Sequence, residues 1–299
     1  MRVPMKRLIL PLPGNEALAA ALAKACDGEL GGIETRRFPD GESYVRLHGD
    51  PHGRPVDLVC TLGRPDAQFL PLVFAADAAH DLGASQVTLI TPYLAYMRQD
   101  KRFHEGEAIT SLSFAKLLSG AFDKIITVDP HLHRHPTLQG LYTVPTVTLQ
   151  AAPLLADWIA THVESPLIIG PDEESEQWAG AIARRIDAPH AVLAKTRYGD
   201  RNVEITVPDL SAWRHCTPVL VDDIASSGRT LAVAARKLVE QGLRKPECVV
   251  VHALFADDAW SDLTPLFSRI VSTDAVPHRS NRIALANLIA DALKRNLQD

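Results

Sequence analysis

The sequence predicts an α/β protein of two tandem, doubly wound parallel sheets. Three observations carry the prediction. Apolar runs of four to eight residues alternate with Ala- and Leu-rich stretches of helical period. The runs are apolar at successive positions rather than at every second one, which suits strands covered on both faces. The order strand–helix–strand–helix–strand also occurs twice, with the break near residue 149, as expected of βαβ units feeding parallel sheets.

In the first half, RLILPL (7–12) reads as a strand and NEALAAALAKA (15–25) as a helix. VDLVCTL (56–62) is a strand, followed by a helix at 67–83 that Gly83 closes. QVTLIT (86–91) is the next strand, SLSFAKLLSG (111–120) a helix closed by Gly120, and KIITV (124–128) a strand. The pattern then restarts. AAPLLADWIATHV (151–163) is a helix, PLIIG (166–170) a strand and SEQWAGAIARRI (175–186) a helix. HAVLAK (190–195), NVEITV (202–207) and PVLV (218–221) are strands, TLAVAARKLVEQG (230–242) a helix and CVVVHALF (248–255) a strand. The Ala-rich 283–297 reads as an amphipathic helix that packs on a sheet or on a partner. The expectation is thus two domains of similar size, 1–149 and 150–299.

Composition narrows the function. The 299 residues are 46% hydrophobic and 22% charged, enough for one large or two medium cores. A net charge of −5 gives no electrostatic reason to expect nucleic-acid binding. An anionic ligand must therefore be held by local positive groups. The N-terminal apolar run is far too short for a membrane span and lacks a signal-peptide cleavage pattern. Cys26, Cys60, Cys216 and Cys248 are scattered, with no CxxC, as expected of reduced, buried thiols in a cytoplasmic protein.

In open parallel sheets, ligands sit beyond the carboxyl ends of strands. The junction PVLVDDIASSGRT (218–230) ends an apolar run in two carboxylates. The backbone N–H groups of Ser226, Ser227, Gly228, Arg229 and Thr230 lie at a helix start and can cradle an anion, with three hydroxyls beside them. Asp222 and Asp223 would take the hydroxyls of a sugar whose phosphate lies in that cradle, directly or through Mg²⁺. An ordinary helix cap behind solvated acids is the plainer alternative.

Four other segments are rich in chemistry. RFPDGES (37–43) has an Asp-Gly turn before the alternating SYVRL, and as local sequence it is a hairpin. YMRQDKRFHEGE (96–107) places Arg98, Lys101 and Arg102 where a triphosphate could meet fork and point charges; a solvated surface loop reads equally well. VDPHLHRH (128–135) sets Asp129, His131, His133 and His135 just past a strand, but without the Cys or second His pair that a zinc site requires. AKTRYGDRNVEI (194–205) offers Lys195 and Arg197 on a Gly-containing loop that also reads as a charged hairpin.

The 218–230 stretch resembles the ribose 5-phosphate-binding motif of the type I phosphoribosyltransferase fold: two acids, a spacer, then small residues with Gly and Thr. RRFPDGESYVRL (36–47), TPYLAYMRQDKRFHEGEAIT (91–110), VDPHLHR (128–134), GPDEESEQWA (170–179) and AKTRYGDRNVEI (194–205) follow in the order seen in ribose-phosphate pyrophosphokinases. On these motifs nearly the whole chain resembles that family, as a divergent bacterial member, and FHEGEAIT is similar to archaeal forms as well. The resemblance implies two phosphoribosyltransferase-like domains, the second carrying the ribose 5-phosphate site.

It also implies roles. Phe38 would stack near adenine in a neighbouring subunit's ATP site, with Asp40 and Glu42 accepting from the amino group or pairing with basic residues. Arg98 and Gln99 would line the ATP site, with Asp100 and His104 nearby. Asp129 and His131 would hold Mg²⁺ on the ATP phosphates. Asp172, Asp222 and Asp223 would serve the ribose, and Ser226 to Thr230 its phosphate. Lys195 and Arg197 would close over ATP as cationic clamps. The implied reaction moves the diphosphoryl group of Mg-ATP to the C1 hydroxyl of ribose 5-phosphate, giving phosphoribosyl diphosphate (PRPP) and AMP. The implied state is a cytoplasmic homo-oligomer, dimer-based and up to a hexamer, with shared ATP sites and no nucleic-acid or membrane partner.

The chain departs from the family pattern at three places. Arg229 stands where a small residue is usual, Glu173-Glu174-Ser175 replace a glycine-containing stretch after Asp172, and 135–149 lacks acids common in relatives. Two other functions stay in view: a transferase that consumes PRPP, and a non-catalytic regulatory paralogue of the synthetase.

Overall fold

The computed structural model describes residues 5–132, 137–198, 202–256 and 258–295. The chain divides into two compact units, Met1–Leu149 with Leu285–Asp299, and Gln150–Ala284.

The first unit is built on β1 (Leu8–Pro11), α1 (Glu16–Ala25), β2 (Glu29–Leu30) and a two-stranded ribbon, β3 (Gly32–Arg37) with β4 (Ser43–His48). Then come β5 (Pro55–Val59), α2 (Pro65–Asp81), β6 (Gln86–Thr91), α3 (Thr110–Ala121), β7 (Lys124–Val128) and β8 (Thr146–Leu149). The sheet order is β2-β1-β5-β6-β7-β8, and every pairing within it is parallel. β7 is buried at all five positions, which is why the central strands read as unbroken apolar runs. Leu8, Leu10, Leu58, Leu89 and Ile125 join the fully buried core of this unit.

The second unit begins with α4 (Ala152–His162), β9 (Pro166–Gly170), α5 (Glu176–Arg185) and β10 (His190–Val192). The ribbon of β11 (Ala194–Tyr198) and β12 (Asn202–Thr206) follows, then β13 (Thr217–Ala225), α6 (Arg229–Glu240), β14 (Glu247–Ala253), α7 (Ala259–Leu263), β15 (Arg269–Thr273) and β16 (Asn281–Ile283). Its sheet order, β10-β9-β13-β14-β15-β16, repeats the first strand for strand, again all parallel. In each unit an antiparallel ribbon leaves after the second strand. The core gathers Leu167, Ile169, Leu220, Cys248 and Val250.

The last helix, α8 (Ala286–Arg295), belongs to the first unit, where it packs on α1 and β8. The expected second domain, 150–299, therefore loses its end. The reason is a buried stripe, Ala286, Ile289, Ala290 and Leu293, which meets the buried face of α1. α4 mirrors it: it follows the first sheet in the chain but packs on α5, β14 and β16 of the second unit.

Other boundaries also move. Gly83 does stand just past α2 with φ +85°, but Gly120 lies inside α3 rather than closing it. The run expected at 190–195 splits, because Leu193 ends the sheet strand and Ala194 opens the ribbon. β13 runs on through Ala225, so Asp222 and Asp223 lie within the strand and not after it. No helix among the described residues is long and apolar enough to cross a membrane. All four cysteines are free thiols; Cys26 is half-buried and the others are buried, and burial pushes Cys60 up to about 12.

Candidate active site

In the second unit, Leu220 of β13 registers with Ile169 of β9. Parallel pairing in that register carries Asp172, just past β9, to the level of Asp222 and Asp223. The result is a cluster of three carboxyl groups. Burial pushes the Asp222 carboxyl well above its ordinary range, and the charges of Asp223 and then Asp172 push it further; the Asp223 N–H, 3.0 Å from Asp222 Oδ1, pulls the other way. The Cys248 thiol feels the same field and is raised, first by burial and then by Asp222. Such a cluster suits partners that carry no negative charge of their own: sugar hydroxyls, which donate, or a hard cation.

The loop that follows has the opposite character. Among the described residues, the backbone N–H groups of Ser226, Ser227, Gly228, Arg229 and Thr230 meet no acceptor. They stand at the start of α6, where the helix dipole favours an anion. Gly228 takes φ +67°, and a Cβ there would meet Leu263 Cδ1 at 2.5 Å. Both the turn and the close approach therefore require glycine. Ser226 and Thr230 are partly buried, while Ser227 and Arg229 are exposed. The replaced stretch after Asp172 forms a 3₁₀ turn, Glu173–Ser175, whose Ser175 hydroxyl donates to the Asp172 carbonyl. Ser175 also abuts Gly170, where a Cβ would collide with it.

Lys195 and Arg197 stand two residues apart on β11, paired with Ile205 and Val203 of β12. The expected charged hairpin is present as backbone, and the two side chains lie outside what is described. His133 and His135 lie outside the described residues altogether.

In the first unit, Asp129 follows β7 with φ +37°, an uncommon conformation for a non-glycine residue. Its N–H is held by the Leu149 carbonyl at 2.9 Å. Asp129 and His131 are both partly buried. The 92–100 loop crosses the same sheet end. Val128 N–H donates to Pro92 O (3.2 Å), Leu62 N–H to Tyr93 O (3.1 Å) and Ser111 N–H to Gln99 O (3.3 Å). Tyr96 donates its hydroxyl to Asp66 on α2. The loop is thus tied to β7, to the residues after β5, to α2 and to α3. It leaves Arg98 exposed, Gln99 partly buried and Asp100 buried.

Beyond it, Glu107 organises the turn. It accepts from the N–H groups of Phe103 (2.7 Å) and His104 (3.1 Å), and its other oxygen meets His104 Nδ1 at 2.7 Å. The His104 ring and these N–H groups hold the Glu107 carboxyl below its usual range. His104 is therefore a partner within its own loop. At the ribbon tip, Gly41 has φ +93°, Phe38 and Glu42 close the turn, and Asp40 Oδ1 accepts from Glu42 N–H. The Phe38 ring is exposed; its edge meets Tyr44, and the Arg36 guanidinium lies 4.7 Å from its centroid.

Repetition of the fold gives the acid cluster a counterpart. Past β1, between the β3–β4 ribbon and the first turns of α2, lies a cavity of about 230 Å³. Leu12, Thr35, Arg36, Arg37, Ser43 and Gln68 line it, and no described carboxylate does.

Residue patterns did not point to Tyr96 or Leu263, because nothing local marks a tyrosine that ties a loop or a leucine that backs a glycine. Glu107 was findable: a His and a Glu three residues apart can meet in a turn.

The comparisons with known proteins agree with this geometry. Residues 8–121 match the N-terminal domain of ribose phosphate pyrophosphokinase, and 146–263 match the phosphoribosyl transferase domain. A ribose-phosphate pyrophosphokinase of Methanopyrus kandleri is 34% identical over 96% of this chain and 98% of its own. One from Methanothermobacter thermautotrophicus is 34% identical over 96% of this chain and 100% of its own. The crystal structure of phosphoribosylpyrophosphate synthetase from Mycobacterium smegmatis superposes with a TM-score of 0.85 at 25% identity, covering 98% of this chain and 99% of that one. Two family domains in sequence order and relatives of matching length leave one conclusion: the chain belongs to the ribose-phosphate pyrophosphokinase family.

Proposed function

We propose that the protein is a ribose-phosphate diphosphokinase, acting on ATP and ribose 5-phosphate. The observation that carries this reading is the pairing, within one unit, of three neighbouring carboxyl groups with a loop of N–H groups that lack acceptors. One polar end takes a diol and the other takes a phosphate, which is the pattern of ribose 5-phosphate. Asp172, Asp222 and Asp223 then orient the ring, and the 226–230 loop with its hydroxyls holds the 5-phosphate. Arg229, exposed at the first turn of α6, donates to that phosphate in this reading.

Arg98 and Gln99 meet the nucleotide, with Asp100 and His104 shaping the loop they stand on. Asp129 and His131 supply one hard oxygen and one imidazole past β7. These are two ligands, so Mg²⁺ held there would take its remaining ones from phosphate and water, as is usual for this ion. The ion's contribution is neutralisation of phosphate charge.

The sugar's C1 hydroxyl oxygen attacks the β-phosphorus of ATP in line and its proton passes to water, the bond from the β-phosphorus to the α–β bridging oxygen breaks, and AMP leaves with that oxygen. Positioning and charge neutralisation supply most of the rate. Lys195 and Arg197 stabilise the transferring group, each by about 2–4 kcal/mol on the scale of oriented donors. Phe38, Asp40 and Glu42 on the exposed ribbon tip serve the ATP site of a second subunit, which makes a homo-oligomer the active form. Free thiols are in keeping with a cytoplasmic location.

The test is direct. Purified protein given Mg²⁺, ATP and ribose 5-phosphate should release AMP and form PRPP in equal amounts. Activity only with PRPP and a free base would instead assign a transferase, and nucleotide binding without either reaction would assign a regulator.

A further inference from the structure

The phosphate-cradling loop has few anchors of its own. The β13–β14 register ends at Ala225↔Ala253. Beyond that point the loop is held from one side, by residues 254–263. Leu254 and Phe255 N–H groups donate to Ala225 O (3.1 and 2.9 Å), and Ala256 N–H donates to Ser226 O (3.1 Å). Leu263, at the end of α7, fills the space where Gly228 has no side chain. Each of these contacts depends on where the 254–263 segment sits.

An aromatic group fixes that segment. Phe255, Trp260 and His278 form a closed triangle, with centroids 5.2 Å (Phe255–Trp260), 4.8 Å (Phe255–His278) and 4.6 Å (Trp260–His278) apart. Phe255 sits at φ +37°, so packing must hold its backbone against local preference. His278 is itself pinned: Ser280 donates its N–H to Nδ1 at 3.2 Å, and the Ser280 hydroxyl lies 2.7 Å from the same nitrogen. The Ser280 hydroxyl meets that of Ser272, and the Asn281 amide donates to Ser272 Oγ and to the Thr273 and Val276 carbonyls. A continuous support thus runs from β15 and β16 through His278 to Trp260 and Phe255, then through α7 to Leu263 and Gly228.

We propose that Trp260 and His278 are positioning residues for the 5-phosphate loop, acting through Leu263 to hold Gly228 and the neighbouring N–H groups in their anion-receiving geometry. Loss of a few tenths of an ångström in donor placement weakens ground-state and transition-state contacts to the phosphate together. The effect belongs to the ribose 5-phosphate end and leaves ATP contacts alone. The inference rests on the assignment of that loop to ribose 5-phosphate.

Steady-state kinetics with each substrate varied in turn provides the test. Trp260→Ala should raise KM for ribose 5-phosphate about tenfold, with KM for ATP within about twofold and the melting temperature little changed. Trp260→Phe, which keeps a ring against Phe255 and His278, should restore KM. Equal KM values for ribose 5-phosphate in Trp260→Ala and the wild type would overturn the inference. A fluorescence titration covers the case in which the alanine variant does not fold. Ribose 5-phosphate should change tryptophan emission in the wild type, and the change should be absent in Trp260→Phe. The same change in both proteins would count against Trp260 sensing the loop. Calorimetric titration of wild type with ribose 5-phosphate separates the two levels: no binding there removes the substrate assignment, whereas binding with no Trp260 effect removes only the support.

Discussion

The Asp222 carboxyl is pushed above its ordinary value of 3.8 by burial first, and then by the neighbouring charges of Asp223 and Asp172. Above 3.8 the unfolded chain gives up this proton while the folded chain retains it, so folding stability falls as pH rises from that value toward the raised one. Removing the charge should therefore help the empty fold and harm the reaction. Asp222→Asn should raise the melting temperature of the ligand-free protein by a few degrees near neutral pH and by nothing measurable near pH 4. It should also lower diphosphoryl transfer by about 100-fold or more. A scanning-calorimetry series across pH, with assays on the same samples, checks both. The acids themselves were legible as residues at a strand end. Their mutual proximity follows only once β9 and β13 are known to be parallel neighbours in register. Leu263 behind Gly228 was not legible, since that contact spans 35 positions and leaves no local pattern.

The ribbons and the helix-start loop carry predictions at the scale of elements. Gly228→Ala must force φ +67° on a residue with a Cβ and push Leu263 aside. A loss of about 1–3 kcal/mol in stability is expected, together with a higher KM for ribose 5-phosphate; denaturant melts and kinetics report the two separately. On the β11–β12 ribbon, Lys195→Ala should reduce kcat by about 10²–10³ while leaving the denaturation midpoint in place. A variant with wild-type turnover would remove Lys195 from the chemistry. Central strands such as β6 (QVTLIT) and β7 (KIITV) were readable because short runs rich in β-branched and apolar residues, bounded by helical patterns, have few other uses. β8 (TVTL), β15 (RIVST) and β16 (NRI), at or next to a sheet edge, were not, because such strands are short and mix polar with apolar residues. The β10–β11 boundary was missed for another reason. HAVLAK is apolar enough for one strand, and only the departure of the ribbon from the sheet divides it.

Across the whole molecule, the proposed sharing of the ATP site between subunits has a clean test. Phe38→Ala and Lys195→Ala proteins should each be nearly inactive alone. Mixed, dissociated and reassembled, they should regain a substantial fraction of wild-type activity, because some sites then draw an intact residue from each parent. No recovery would place Phe38 in its own subunit's site or outside catalysis. α8 offers a second test: Ile289→Asp puts a charge in the buried stripe against α1, and should cost about 3 kcal/mol or more by thermal melts. The amphipathic pattern of α8 announced a packing helix, but not its partner, because burial against α1 joins opposite ends of the chain. That crossing also constrains biosynthesis. A nascent chain emerging from the ribosome has made every strand of its first sheet by Leu149, yet the helix that covers α1 is translated only after every strand of the second sheet. The early half must wait, one face bare to chaperones and proteases, until α8 clears the exit tunnel. A premature stop codon anywhere in the second half would leave that half unfinished and the first uncovered as well.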